Sequence, residues 1–130
     1  MKKINTPHAP PAIGPYSQAI VSEAFLFTRY LFTSGQIALL PATGDFLNGD
    51  ITEQTKQVLK NLDAILVEAG TSWERVVKTN VYLIDMNEYA TFNQIYEQHL
   101  KGARPARLTC AVAALPKGAR VEIDLIAEAY

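Results

Sequence analysis

Hydrophobic and polar positions along this chain change period four times, and each change predicts a new element. Between Gly14 and Ser34 short apolar runs follow one another with brief polar breaks: Gly14–Val21, Phe25-Leu26-Phe27, and Tyr30–Ser34. Runs rich in aromatic and β-branched residues with breaks this short predict a meander of three antiparallel strands. Ahead of them, Pro7, Pro10, Pro11 and Pro15 each remove a backbone donor, which predicts an extended, irregular lead-in. After Gly35-Gln36, the segments Pro41–Asp45 and Asn48-Gly49-Asp50 carry turn chemistry and predict a surface loop. The period then becomes helical. Val58, Leu62, Ile65 and Ala69, with Leu59 and Leu66 beside them, form one stripe that Asp50 with Glu53, or Thr52, can cap and Gly70 can end. Lys56, Lys60, Asp63 and Glu68 fall away from the stripe, as a solvated face does. Val76–Ile84 is apolar on both faces and predicts a central strand. Asp85 or Asn87 then starts a second helix, whose Tyr89, Phe92, Ile95, Tyr96, His99 and Leu100 repeat at helical spacing and read as core, with His99 near the surface at its end.

The last quarter reads as two strands, Arg107–Ala114 and Val121–Ile126, joined at Leu115-Pro116-Lys117-Gly118, which predicts a hairpin. Alternation assigns Leu108, Cys110, Val112 and Ala114 to one face, with Val121, Ile123 and Leu125 beside them. Arg107, Thr109, Glu122 and Asp124 are then expected together on the opposite face, with Ala111, Ala113 and Ile126. A half-polar face of this kind suits a subunit interface with a site in it; an ordinary solvated face with charge pairs accounts for the same pattern.

Taken together, residues 1–130 predict a single α+β domain, a mostly antiparallel six-stranded sheet with two helices on one face and a crossover connection. Its second face would be bare and partly apolar, which predicts oligomerisation through it. Charge adds little: 12 Lys and Arg against 13 Asp and Glu favour neither nucleic acid nor an anionic membrane. Cys110 is the only cysteine, which excludes an intrachain disulfide and a multi-cysteine metal centre and points to the cytoplasm. No apolar run has the length of a signal peptide or a membrane span.

The chemistry is narrowed by what is missing. The chain has no glycine-rich phosphate loop, no paired-histidine motif and no nucleophile elbow, and its histidines are only His8 and His99. Cys110, expected on the core face, reads as a small structural hydrophobe. What remains is Arg107, Thr109 and Glu122, with Tyr16. Arginine offers a bidentate fork for a carboxylate, and a glutamate can activate a water, so the set suits hydrolysis of a small carboxylic acid. A structural Arg–Glu ion pair explains the same two residues.

Several blocks in order resemble the RidA family of reactive-intermediate deaminases, formerly grouped as L-PSP endoribonucleases. They are Ala12–Ala19, Thr33–Ile37, Val77–Val81, Thr91-Phe92-Asn93, Arg104–Arg107, Leu115–Ala119 and Val121-Glu122-Ile123. The resemblance implies a chorismate-mutase-like fold, a homotrimer whose sheets form a central barrel, and sites in the clefts between subunits. It implies hydrolysis of 2-aminoacrylate and 2-iminobutyrate to 2-keto acids and ammonia, without metal or organic cofactor. By motif position Arg107 would grip the substrate carboxylate and Glu122 would orient the attacking water, while Tyr16, Ser34, Gly35 and Asn93 would line the pocket. Thr109 stands where many members carry cysteine, a role that Cys110, one position away, does not inherit. Behind the deaminase stand a non-enzymatic 2-keto acid sensor using the same cleft, an RNA-cleaving enzyme, which near-neutral charge argues against, and a chorismate mutase, whose dianionic substrate would ask for more cations.

Overall fold

The computed structural model describes residues 1–22 and 27–129. Six strands, β1 (Lys2–Ile4), β2 (Ala19–Val21), β3 (Arg29–Thr33), β4 (Val76–Leu83), β5 (Ala106–Ala111) and β6 (Val121–Ala129), form one open sheet in the order β1-β2-β3-β6-β4-β5. All neighbours are antiparallel except β4 and β5, which run parallel. Helices α1 (Ile51–Glu68) and α2 (Tyr89–Leu100) pack together and bury their stripes against the same sheet face, where Leu31, Val81, Ile123 and Leu125 complete the core. The α+β class, six strands and two-helix layer agree with expectation. No helix among the described residues is long and apolar enough to cross a membrane.

The first helix forms as its ends predict. Asp50 accepts a hydrogen bond from the Glu53 amide at 2.9 Å, and Gly70 takes φ +74° just past the end, where a left-handed residue costs glycine nothing. At the second, Asp85 accepts from the Asn87 amide to start a 3₁₀ turn that runs into α2, and Lys101 closes the helix in the left-handed region.

The structure departs from expectation at several points. The last two strands are not a hairpin: β4 inserts between β5 and β6. The β4-α2-β5 unit needs its helix to bring the second strand round parallel to the first, and β6 then pairs with the free side of β4. The proline-rich lead-in is not wholly irregular, because Lys2–Ile4 pairs with β2. The Pro7–Pro10 segment is pinned as well: the buried Gln18 amide donates to the carbonyls of Thr6, Ala9 and Pro10 and accepts from the Thr6 amide. The expected strand at Phe25-Leu26-Phe27 falls at Phe25 and Leu26 outside the described residues, and Phe27 lies in a turn at φ +71°. Asp63 is not simply solvated either. Its Oδ1 accepts from Trp73 Nε1 at 2.6 Å and lies 2.8 Å from His99 Nε2, tying α1 to the end of α2 and the turn before β4.

The sheet face away from the helices carries Ile20, Phe32, Ile126, Tyr82, Leu108 and Cys110, by their registers across the strands. Phe32 and Leu108 are 47% and 46% exposed there. A partly apolar bare face is present as expected, but these residues make it and Ala111 does not, lying instead on the helix side, and Lys78, Asn80, Glu122 and Asp124 stand on it too.

Candidate active site

The sequence places Arg107, Thr109 and Glu122 on one face; the structure separates them. In β5, Arg107 and Thr109 stand opposite Thr79 and Val81 of β4, both fully buried, and so point to the helix side. In β6, Glu122 and Asp124 stand opposite Tyr82 and Asn80 and point to the bare side. Leu108 and Cys110 take the bare side too, so Cys110 is not a core residue, and Ala111 follows Arg107 to the helix side. Within one chain the expected site is two half-sites.

The first half-site is built around Glu122. Strand β3 leaves β6 after Phe32, opposite Ile126, and rejoins it at Gln36, opposite Ile123. Four steps along the first strand thus answer three along the second, a bulge that pushes Ser34 and Gly35 out of the ladder. Thr33 Oγ1 fills the gap by accepting from the Leu125 amide at 2.9 Å. Gly35 thereby lies flat on the Glu122 carboxylate, and a Cβ at this position would displace that carboxylate from where it stands. Tyr16, Gly35, Ile37, Leu39, Pro116 and Glu122 line a cavity of about 100 Å³. Burial in it, with Asp124 nearby adding repulsion, raises the Glu122 carboxyl above the ordinary carboxylate value. Such a group holds a proton more readily than a surface glutamate and so can exchange one with a bound water. Ser34 Oγ donates to the Ser17 carbonyl, joining the bulge to the Tyr16 loop rather than pointing a free hydroxyl at Glu122. On the far side Arg120 braces the start of β6 by pairing Nε with both oxygens of Glu88, at 3.0 and 3.1 Å.

The second half-site surrounds Arg107 on the edge strand. Its guanidinium carbon sits 4.8 Å from the Tyr96 ring centroid, 5.7 Å from Tyr89 and 5.8 Å from Phe92, an aromatic bed supplied by α2. Tyr96 is held by a 2.9 Å contact between its hydroxyl and that of buried Thr79. Burial raises the Tyr96 phenol, against the opposing pull of Thr79 and Arg107. Asn93 and Arg107 line one cleft of about 390 Å³ with Pro105 and Glu97. Beside it the Thr109 hydroxyl is buried with no hydrogen-bond partner. Sequence reasoning assigned Tyr89, Phe92 and Tyr96 only to the core. Their spacing correctly placed them on one helix face, and nothing in it said that β5 would lay an arginine there.

The chain is similar to proteins already known. The chain matches the family model described as Endoribonuclease L-PSP over residues 6–129. It is 48% identical over 126 residues to the 2-iminobutanoate/2-iminopropanoate deaminase of Mus musculus, covering 97% of this chain and 90% of that protein. Among solved structures, a Rid-family protein from Yersinia pestis superposes with a TM-score of 0.90 at 49% identity over 97% of both chains. RidA from the Antarctic bacterium Psychrobacter superposes with a TM-score of 0.89 at 38% identity over 98% of both.

Proposed function

The chain belongs to the Endoribonuclease L-PSP family, and on that premise we propose that it is a deaminase hydrolysing short 2-imino acids, and the 2-enamino acids that tautomerise to them, to 2-keto acids and ammonia. The observation that carries this reading is a pair of complementary half-sites. One offers a half-buried cation without an acidic partner among the described residues, and the other a carboxyl raised toward neutrality beside a flat glycine. A 2-imino acid needs both, an anchor for its carboxylate and a proton acceptor for the water that attacks its C2.

In the proposed reaction Arg107 binds the carboxylate in the Asn93 cleft, with Thr109 beside it. Glu122 takes a proton from water as the oxygen bonds to C2, and the C=N electron pair passes to nitrogen. Nitrogen receives that proton to give the 2-amino-2-hydroxy acid, and the hydroxyl proton then passes to nitrogen as the C–N bond breaks, so that ammonia leaves and the keto acid remains. Tyr16 and Gly35 shape the Glu122 side. Holding an already electrophilic imine and one water in place accounts for the acceleration, and the step calls on no organic cofactor or metal.

Because Arg107 and Glu122 face opposite sides of one sheet, the reading requires a second copy: Glu122 of one subunit meets Arg107 of its neighbour. The edge position of β5 and the apolar bare face support such packing, and a cyclic homotrimer with the sheets turned inward into a barrel is the assembly we propose. The test is keto-acid release from 2-iminobutanoate generated in the cuvette. We expect wild type to exceed the spontaneous rate and both Arg107→Ala and Glu122→Gln to lose at least about tenfold, the loss typical of removing a positioned catalytic group. A wild-type rate equal to the spontaneous one, with 2-oxobutanoate still bound, would turn the protein into a keto-acid sensor.

A further inference from the structure

The hydrogen-bond partners of the Arg107 guanidinium among the described residues are neutral phenols, Tyr96 and Tyr89. Nη2 donates to the Tyr89 hydroxyl at 2.9 Å. Arginine can only donate, so the Tyr89 oxygen is the acceptor and its own proton remains to be given elsewhere. No other hydrogen bond of this hydroxyl occurs among the described residues. Tyr89 and Asn93 stand four residues apart on α2 and therefore on one helix face, and Arg107, which the Tyr89 hydroxyl touches, lines a cleft with Asn93. Two donors, one charged and one neutral, thus start from the same point.

We propose that Tyr89 is a specificity-determining residue that grips the substrate carboxylate jointly with Arg107, its O–H donating to one oxygen while the guanidinium donates to the other. The inference rests on the deaminase reading and deepens it. It selects 2-imino acids with a free carboxylate over their amides. A hydroxyl that accepts from a guanidinium becomes a better donor, because the positive charge withdraws electron density from it. The ring has a separate duty as part of the bed under the cation, and phenylalanine would keep that while removing only the hydroxyl.

The experiment compares wild type, Tyr89→Phe and Arg107→Ala in two measurements: calorimetric binding of 2-oxobutanoate, and kinetics on 2-iminobutanoate generated in situ. For Tyr89→Phe we expect about tenfold weaker binding of 2-oxobutanoate, the effect of losing one hydrogen bond to a charged group, and a KM raised by the same factor with kcat within about twofold. Binding of 2-oxobutanamide should be equally weak in both proteins. Unchanged or tighter 2-oxobutanoate binding in Tyr89→Phe would overturn the shared grip, and so would a loss confined to kcat. In either case a large loss in Arg107→Ala would leave the deaminase reading standing, whereas full activity in Arg107→Ala would remove that reading and the inference with it.

Discussion

Glu122 shows how a single residue couples chemistry to stability. Its carboxyl titrates above the ordinary range because folding buries it beside Asp124. The folded state therefore holds this proton at pH values where the unfolded chain has lost it. Between the unfolded and folded values the folded state binds more protons, so stability falls as pH rises through that window and stays lower above it. Glu122→Gln removes the cost of the buried charge. Thermal melts should show the variant more stable than wild type at pH 7, with the gap closing as pH drops below the ordinary carboxylate range; a wild type equally stable at pH 7 would mean the carboxylate is not strained there. Gain of stability with loss of activity is the behaviour of a group kept for function. Tyr89 is the contrasting case, a residue whose hydroxyl serves recognition and whose ring serves packing.

At the scale of elements, α1 is the most self-sufficient piece. Its Asp50 cap lies at the end of the loop, and Gln54, one turn in, donates to the Gly49 carbonyl and accepts from the Arg120 amide. The first turn thus holds both its own loop and the approach to β6. Asp50→Ala should cost about 1 kcal/mol in urea denaturation while leaving kcat unchanged, since the cap touches no part of either half-site; a loss well above that would show that the cap also holds the β6 approach. Elements like this one were legible, because capping residues, helical period and a glycine stop all act within a few residues. Pairing was not. Leu115–Gly118 does make a turn, with Lys117 and Gly118 both at positive φ, yet the strands it joins are separated by β4. Local signals cannot say which third strand will intervene. The face of β5 failed for a related reason. Alternation separates Leu108 and Cys110 from Arg107 and Thr109, but the rule that the apolar row faces the core fails where the outer face is apolar too and the inner face offers aromatic rings to a cation.

For the whole molecule, the separation of Arg107 from Glu122 makes oligomerisation a condition for activity on the proposed reading, beyond a matter of stability. If each site draws its anchor from one subunit and its proton acceptor from the next, two dead variants can repair one another. Arg107→Ala subunits retain Glu122, Glu122→Gln subunits retain Arg107, and a site works wherever the two meet in the right order. In a closed ring assembled at random from equal amounts, that order occurs at about a quarter of the interfaces. Unfolding the two variants together and refolding them should therefore recover about a quarter of the wild-type activity per chain, whatever the number of subunits in the ring. Simply mixing the folded oligomers should recover activity only as fast as subunits exchange. A site contained within one chain would give no recovery under either protocol, because every chain would still lack one group. Recovery would establish that each site is completed by a second subunit.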